Sequence, residues 1–380
     1  MKDLSESRIL IVDDVKANVD ALVEALRGQY RLSVALDGAS ALRSIERTPP
    51  DLVLLDIMMP PGIDGYEVCR QIRASEAAHE IPVMFLSSLE DVKDKARGFE
   101  VGGNDYLTKP FETLEVKARV QALLKAKAYA DAIKEAAARE LRIAREIQMG
   151  ILPANLADAT RGTGLDVQAV IEPAKKVGGD LYEVLRADDN RVVVALGDVS
   201  GKGVPAALFM AVAVTVLRTL ARHIQAPDEI LSRLNDELAA QNPRGMFVTI
   251  QCLVFDLAAK RVTCAGAGHH QLVVLSRGQP PRFAFPSSGR PAGLMPVNPI
   301  SSESMALEPG DTFVLFSDGV SEAMNAADEF FGEDRLLAHL GVTADATPAD
   351  IVRDTLQAVR DFAGAAPQSD DITILAARYL

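Results

Sequence analysis

Three aspartates that follow short apolar runs form the first candidate site. Asp13 and Asp14 follow residues 9–12 (ILIV), and Asp56 follows residues 52–55 (LVLL). Short and wholly apolar runs are typical of parallel strands buried on both faces, whose carboxyl ends meet at one edge of the sheet. Clustered carboxylates repel one another unless a hard cation lies between them, and Mg²⁺ prefers oxygen ligands. The pattern predicts a magnesium site in which one carboxylate can attack phosphorus.

Two further polar residues follow similar segments and complete this predicted site. Ser87 follows residues 83–86 (VMFL), and Lys109 follows residues 105–108 (DYLT). A hydroxyl and an ammonium group there could bind phosphoryl oxygens. Taken alone, each aspartate is best interpreted as an ordinary solvated acid in a loop. The joint placement of all three favours a site that binds a metal and a phosphoryl group.

A second set of acids lies beside glycines or other small residues in the last two thirds of the chain. Without a histidine or cysteine cluster beside them, oxygen-bound Mg²⁺ or Mn²⁺ is favoured over zinc, and two such ions can activate a water toward phosphorus. A single Asp-Gly pair is usually a turn, so the metal interpretation depends on four occurrences together. The four segments are residues 178–180 (GGD), 197–201 (GDVSG), 317–319 (SDG) and 369–371 (SDD).

The elements that must position these residues differ along the chain. Strand-like runs alternate with helical patterns up to about residue 124, which predicts a doubly wound parallel sheet. Residues 115–149 contain no glycine or proline and predict one long helix. From about residue 160 onward, runs of adjacent strands with separate helices at 205–221, 227–240, 333–340 and 348–362 predict an α+β domain with antiparallel sheet.

Small and apolar residues recur along the long helix in steps of three and four. A dimeric coiled coil with a stutter near Ala137 is the favoured interpretation, and a lone solvent-exposed linker helix is the alternative. The predicted seam comprises Leu123, Ala126, Ala130, Ile133, Ala137, Leu141, Ala144, Gln148 and Ile151.

Composition excludes several functional classes. The 380 residues carry a formal net charge of −13, which argues against non-specific binding to nucleic acid or to an anionic membrane. The longest apolar stretch, residues 204–217, is too short to span a bilayer and predicts a buried helix. The three single cysteines fit a reducing cytoplasm.

Residues 5–124 resemble the receiver domain of two-component response regulators. The segments that carry the resemblance are ILIVDD, LVLLDIMMP, IPVMFLSS and DYLTKPF, in that order. The resemblance implies that Asp56 accepts a phosphoryl group from a histidine kinase or phosphotransfer protein. It also implies that Mg²⁺ is bound by Asp13, Asp14, Asp56 and the Met58 carbonyl. Ser87 and Lys109 would contact the phosphoryl group, and Tyr106 would be the switch aromatic. The bond between Lys109 and Pro110 is expected to be cis. The doubled proline after Met59 departs from the family pattern.

Residues from about 140 to 380 resemble the metal-dependent protein phosphatases of the PPM (2C-like) family, in the SpoIIE/RsbU branch. The matching segments include VGGDLYEV, VALGDVSGKGVPAALFMA, LFSDGVSEA and SDDITIL. The resemblance implies two Mn²⁺ or Mg²⁺ ions held by Asp180, Asp198, the Val199 carbonyl, Asp318 and Asp370. It favours Asp370 over Asp371, and it implies a phosphoserine or phosphothreonine protein substrate, typically an anti-sigma-factor antagonist.

These resemblances predict a receiver at 1–124, a helical linker at 125–152 that forms a homodimer, and a phosphatase at 153–380. The rival interpretation is a phosphorylation-controlled adaptor with an inactive phosphatase-like domain. His269 and His270 could act as general acids, although packing in a turn is favoured for both. Two interpretations of Lys202 are equally plausible: it could attract the phosphate of a substrate, or it could be an ordinary solvated lysine in a loop.

Overall fold

A computed structural model describes residues 3–88, 92–240 and 242–380, without the side chains of 92–95. The chain forms two compact units, Met1–Ala138 and Arg139–Leu380, and the boundary between them lies within one helix.

The first unit contains a five-stranded parallel sheet with helices on both faces, which confirms the predicted doubly wound fold. The strand order is β2-β1-β3-β4-β5. The strands are β1 (Arg8–Val12), β2 (Arg31–Ala35), β3 (Leu52–Asp56), β4 (Val83–Ser87) and β5 (Asp105–Thr108), and the helices are α1 (Lys16–Leu26), α2 (Gly38–Arg47), α3 (Gly65–Ala74) and α4 (Val92–Glu100).

Both faces of this sheet are buried, which explains the uninterrupted apolar runs. Leu10 and Val12 pack into the core beneath α2 and α3, whereas Ile9 and Ile11 pack into the opposite core with α1. Successive side chains of a strand point to opposite faces, so both sets must be apolar. Full burial of each such side chain is worth roughly 1.5–3 kcal/mol. The carboxyl ends of the central strands are thereby fixed.

One helix, α5 (Thr113–Ile151), runs through 39 residues and confirms the predicted long helix. Its first turns pack on the receiver core through Val116, Val120 and Leu124, and its last turn packs in the second unit. The residues from 132 to 140 are all exposed.

The predicted coiled-coil seam is wrong at its ends. Leu123 packs against the core of the first unit, and Ile151 packs against that of the second. Gln148 is buried. These three residues are held by their own units, so a coiled coil can use only the helix face that is left exposed between them.

The second unit is a sandwich of two five-stranded antiparallel sheets, as predicted. The sheet orders are β13-β10-β9-β8-β7 and β12-β11-β14-β15-β6. The strands are β6 (Leu165–Glu172), β7 (Leu181–Arg186), β8 (Arg191–Val199), β9 (Val248–Asp256), β10 (Arg261–Ala267), β11 (Leu272–Leu275), β12 (Arg282–Ala284), β13 (Ser302–Ala306), β14 (Thr312–Phe316) and β15 (Ile372–Tyr379).

Helices accompany this sandwich, and its two sheets share one core. The Phe255 and Phe313 rings, one from each sheet, meet edge to face with their centroids 5.4 Å apart. The helices are α6 (Leu156–Thr160), α7 (Val204–Ala221), α8 (Pro227–Ala240), α9 (Asp318–Ser321), α10 (Gly332–Thr343) and α11 (Pro348–Ala363).

Helix α7 is, within the described ranges, the one helix long and apolar enough to cross a membrane. Met210 and Val214 are buried in the sandwich core. Leu208 and Val212 are exposed. The prediction of a buried helix therefore holds for one face of α7 only.

Candidate phosphoacceptor and metal sites

The carboxyl ends of β1 and β3 bring together the three aspartates predicted for the first site. One ligand oxygen from each of Asp13, Asp14 and Asp56 lies within 4.8 Å of the others. Lys109 follows β5, and its Nζ lies 2.8 Å from Asp13 Oδ2 and 2.8 Å from Asp56 Oδ2. The carboxyl edge of the sheet thus brings three carboxylates and one lysine ammonium group close together.

The electrostatics of this cluster favour a bound cation. Burial raises the pKa of Asp56; the Lys109 ammonium opposes that rise, and the Asp13 carboxylate adds to it. Asp14 Oδ1 is buried with no hydrogen-bond partner in the described part of the chain. Because an unpaired buried carboxylate oxygen is costly, a hard divalent ion fits the cluster.

Two of the other predicted receiver residues border the cluster. Ser87 is buried at the end of β4, and Lys109 N–H donates to the Ser87 carbonyl at 2.8 Å. The backbone N–H of Met58 donates to the Asp56 carboxylate and partly offsets its raised pKa. The Met58 carbonyl as a ligand stays a prediction. The bond between Lys109 and Pro110 is cis, as expected, and the bond between Pro60 and Pro61 is cis as well.

Tyr106, the predicted switch aromatic, is buried. Its hydroxyl lies 3.2 Å from the Tyr66 hydroxyl, and its ring centroid lies 5.4 Å from that of Phe85. A Cβ at Gly98 of α4 would lie 2.2 Å from the Tyr106 oxygen. The close approach of α4 to this ring therefore requires glycine there.

In the second unit, the other acidic site includes Asp180, which is buried, and Asp198, which is half-buried. Asp180 immediately precedes β7, and Asp198 lies in the neighbouring strand β8. Burial, followed by the Asp198 charge, raises the pKa of Asp180. Burial, followed by the Asp318 charge, raises the pKa of Asp198 to about 7. Because neighbouring carboxylates repel each other when ionised, a compensating cation would relieve the strain of holding both charges here.

The environment of Asp180 also fits a metal. Its Oδ2 accepts a hydrogen bond from the Thr373 hydroxyl, whereas its Oδ1 is buried without a partner in the described residues. A Cβ at Gly179 would lie 2.7 Å from the Val199 carbonyl oxygen, the predicted backbone ligand. The absence of that Cβ leaves the Val199 carbonyl close beside the acidic site.

Asp318 and Asp370 bring two more carboxylates from the second sheet. Asp318 follows β14 at the start of α9, and Asp370 precedes β15. The charge of Asp370, after burial, raises the pKa of Asp318. Lys202 Nζ lies 2.9 Å from Asp370 Oδ2, so this lysine is held in the site. The four predicted acids therefore come together from both sheets at one end of the sandwich.

The neighbouring acid, Asp371, is engaged with the backbone. Its Oδ1 accepts from Ala174 N–H at 2.8 Å and its Oδ2 accepts from Gly179 N–H at 2.7 Å. A Cβ at Gly319 would lie 2.0 Å from the Asp371 carbonyl oxygen, so glycine permits this close approach. Asp371 thus braces the loop that carries Asp180, and this role supports the choice of Asp370 as the ligand.

His269 is packed as favoured, whereas the role of His270 stays a prediction. His269 is buried; its Nδ1 lies 2.9 Å from the Thr249 hydroxyl and its Nε2 lies 3.0 Å from the Phe316 carbonyl. Burial lowers the pKa of His269 to about 3, so the ring stays neutral. The His270 ring stacks on Phe316 with 6.0 Å between centroids. Both ring nitrogens of His269 are engaged, so it has none left for acid catalysis.

Sequence reasoning did not assign roles to Thr373, Asp371 or Gln148. Thr373 follows the double aspartate by two positions, and this spacing was the only available signal. Gln148 was placed in the helix seam, whereas its side-chain amide bonds the Gly178 backbone. Such contacts join residues about 30 to 190 positions apart, so local pattern does not reveal them.

Comparison with known proteins agrees with both halves of the chain. The receiver-domain family model, "Response regulator receiver domain", matches residues 9–121. The model "Stage II sporulation protein E (SpoIIE)" matches residues 188–380.

Among curated proteins, the response regulator PleD of Caulobacter vibrioides is 34% identical over 198 residues, which cover 50% of this chain and 42% of PleD. Protein IcfG of Synechocystis sp. is 25% identical over 97% of this chain and 58% of its own length. The chain thus spans about half the length of these relatives.

Two solved structures resemble the second unit. The SiaA-PP2C domain of Pseudomonas aeruginosa matches with a TM-score of 0.59 at 24% identity, covering 66% of this chain and 99% of that one. The RsbU and RsbW domains of Rv1364c from Mycobacterium tuberculosis match with a TM-score of 0.50 at 26% identity, covering 56% of this chain and 59% of that one.

The fold and the two acidic sites define a response-regulator receiver fused to a phosphatase domain of the PP2C type. The chain belongs to the SpoIIE family, whose model covers residues 188–380.

Proposed function

We propose that phosphorylation of Asp56 controls a metal-dependent phosphoserine and phosphothreonine protein phosphatase in the second unit. The observation that carries this proposal is the convergence of Asp180, Asp198, Asp318 and Asp370 at one end of the sandwich, with raised pKa values for the first three. An adaptor that needs no hydrolysis would not require four carboxylates in so costly an arrangement.

In the receiver, an Asp56 oxygen attacks the phosphorus of a phosphohistidine on the kinase or phosphotransfer protein. The P–N bond breaks, the imidazole nitrogen takes up a proton, and an acyl phosphate forms on Asp56. Lys109, which contacts both Asp56 and Asp13, offsets the charge of the incoming phosphoryl group. Asp13, Asp14, Asp56 and the Met58 carbonyl would hold a Mg²⁺ ion, and Ser87 would donate to a phosphoryl oxygen.

In the phosphatase, Asp180, Asp198, the Val199 carbonyl, Asp318 and Asp370 would hold two Mn²⁺ or Mg²⁺ ions. When bound, such ions lower the pKa of water and offset charge on phosphoryl oxygens. Water replaces the serine or threonine oxygen at phosphorus, and that oxygen leaves with a proton. Lys202, held at Asp370 at the rim of the site, supplies a positive charge for the phosphate of the substrate.

The proposed substrate is a phosphorylated anti-sigma-factor antagonist. Membership of the SpoIIE family supports this choice, as does the similarity to the RsbU domain of Rv1364c. The chain is proposed to act in the cytoplasm, where a histidine kinase and such a substrate would both be available.

The deciding experiment measures both the phosphorylation of Asp56 and the hydrolysis of phosphate esters on the full chain. Acetyl phosphate with Mg²⁺ should label the wild type but not Asp56→Asn, because an amide is not a usable nucleophile. The wild type should hydrolyse an aryl phosphate and a phosphoserine protein with Mn²⁺, and Asp318→Asn should lose at least about 100-fold in rate. Asp189→Asn, at an exposed position, is the matched control.

Each outcome separates the alternatives. Hydrolysis that is absent with every divalent metal, together with normal labelling of Asp56, would favour the phosphorylation-controlled adaptor. Labelling that persists in Asp56→Asn would contradict the assignment of the phosphoacceptor. Activity that does not differ between the labelled and unlabelled protein would contradict control by the receiver.

A further inference from the structure

A cavity of about 470 Å³ opens in the first unit at the end of the sheet opposite to Asp56. Arg8 and Arg31, the first residues of β1 and β2, line it from the sheet, whereas Asp13 follows the last residue of β1. At about 3.3 Å per residue, a five-residue strand separates the cavity from the phosphoacceptor by roughly 15 Å. The cavity is therefore a separate feature of the receiver.

The strand register brings the two sheet arginines side by side. Arg8 pairs with Arg31 across the parallel ladder, two positions before the pair Leu10 and Ser33. Leu10 belongs to the core beneath α2, so alternation along the strand places Arg8 and Arg31 on the same face of the sheet. Two guanidinium groups thus occupy the end of a sheet face on which Leu10 and Ser33 follow.

Helix α2 supplies the opposite wall. Its residues Ser40, Arg43, Ser44 and Arg47 occupy positions i, i+3, i+4 and i+7, which places them along one side of the helix. Ala41 and Ile45 pack into the core beneath that helix. The cavity is therefore lined by four arginines and by hydroxyl side chains from both elements, and none of the described residues that line it is acidic.

The positive charge of this cavity is only partly compensated by the protein. Arg31 pairs with Glu6 at 3.3 Å, and both side chains are well exposed. Arg8, Arg43 and Arg47 make no side-chain ion pair with the described residues, although Asp51 Oδ2 accepts from the Arg8 backbone N–H at 2.8 Å. Hydrogen bonds from Ser40, followed by the Arg43 charge, contribute to a lowered pKa of Asp37. Like charges at directly neighbouring strand positions repel each other, and this chain has a net charge of −13. A local cluster of four cations in such an acidic protein is suited to an anion.

We propose that this cavity binds a small molecule that carries two or more phosphate groups, such as a nucleoside triphosphate. Guanidinium groups bind phosphate oxygens in a bidentate manner, and serine hydroxyls add neutral donors. Four guanidinium groups exceed what one phosphate can engage. The volume lies within the range of small-molecule sites, roughly 300–1,000 Å³.

Calorimetric titration of the full chain with pyrophosphate, inorganic triphosphate and ATP tests the proposal. Excess EDTA keeps divalent ions from recruiting these ligands to the two acidic sites. The test variant is Arg43→Gln with Arg47→Gln, both exposed on α2. The control is Arg139→Gln with Arg142→Gln, which removes the same charge from exposed positions on α5.

We expect saturable binding with one site per chain and a loss of at least about tenfold in affinity for the α2 variant, with less than about twofold change for the control. Equal affinity for triphosphate and ATP would assign recognition to the phosphates alone, and tighter ATP binding would add a contact to the nucleoside. Labelling of Asp56 by acetyl phosphate verifies that the α2 variant is folded. No saturable binding of any ligand at millimolar concentration, or equal affinities of the two variants, overturns the proposal.

Discussion

The side chain of Gln148 forms a reciprocal pair of hydrogen bonds with the backbone of Gly178. Its Nε2 donates to the Gly178 carbonyl at 2.7 Å, and its Oε1 accepts from Gly178 N–H at 3.3 Å. Both residues are buried. Gly178 adjoins Gly179, which donates to Asp371, and lies two positions before Asp180. The last turn of α5 is therefore tied directly to the loop that carries a predicted metal ligand.

Replacing Gln148 with leucine should weaken metal activation of the phosphatase without affecting the receiver. The change leaves two buried backbone groups of Gly178 unpaired, at a cost of about 1–3 kcal/mol each. We expect a higher Mn²⁺ concentration for half-maximal hydrolysis and unchanged labelling of Asp56. Gln121→Leu, at an exposed position of the same helix, is the control. An unchanged Mn²⁺ requirement in Gln148→Leu would show that this contact does not organise the site.

Asparagine substitutions should distinguish Asp370 from Asp371. Asp370→Asn removes a charged ligand and should lower the rate of hydrolysis at least about 100-fold. Asp371→Asn retains an oxygen acceptor for one of its two backbone donors, so activity should stay within about tenfold while the unfolding temperature falls. Rates at saturating Mn²⁺ and thermal unfolding check both expectations. The opposite ranking of the two rates would reverse the assignment.

Stability without metal should fall as the pH rises toward neutrality. The pKa of Asp198 is raised to about 7, chiefly by burial. A carboxyl whose pKa is higher in the folded state binds more protons when folded, so this contribution is lost between about pH 4 and pH 7. In EDTA, we expect the unfolding temperature to fall by a few degrees from pH 5.5 to pH 8, and Mn²⁺ to restore it at pH 8.

The Asp198→Asn variant tests the origin of that dependence. An amide does not titrate, so the fall in unfolding temperature should be smaller in this variant than in the wild type. Asp189→Asn, at an exposed position, should behave as the wild type does. Equal pH dependence in Asp198→Asn and the wild type would remove Asp198 as the cause.

The exposed face of α5 should support a homodimer. Tyr129, Ile133, Ile143 and Ile147 are all exposed, and together with positions 136 and 140 they follow steps of 4, 3, 4, 3 and 4. With Ala136 and Glu140 at the two middle positions, this is a heptad spacing without the stutter predicted near Ala137, and Glu140 is its one charged position. Ile133→Lys should shift the chain to a monomer in light scattering, whereas Ala138→Glu, outside the stripe, should not.

The relation between dimerisation and control follows from the same measurements. If phosphorylation acts through this helix, Ile133→Lys should retain both isolated chemistries and lose the response of hydrolysis to Asp56 phosphorylation. A wild type that is monomeric before and after phosphorylation, yet still responds, would exclude the coiled-coil route.

The receiver was more predictable from sequence than the phosphatase, for a physical reason. Strands β1, β3 and β4 are buried on both faces, so their apolar runs mark both the strands and the acids that follow them. Strand β2 lies at the sheet edge and is mostly exposed, which leaves no such signal. In the sandwich, the short glycine-rich segments revealed the acids, but the roles of Asp371 and Gln148 depend on contacts between distant parts of the chain.

The helical repeat of α5 makes the face on which each of its residues lies depend on the number of residues before it. Its 39 residues extend about 58 Å at 1.5 Å per residue, and the stretch 115–149 has no glycine or proline that would permit a bend. Deleting one residue would shift the following α5 residues by about 100° around the helix axis, whereas deleting seven would return them to their original face to within about 20°. Functional fusions of this receiver to other output domains should therefore recur at linker lengths that differ by whole heptads.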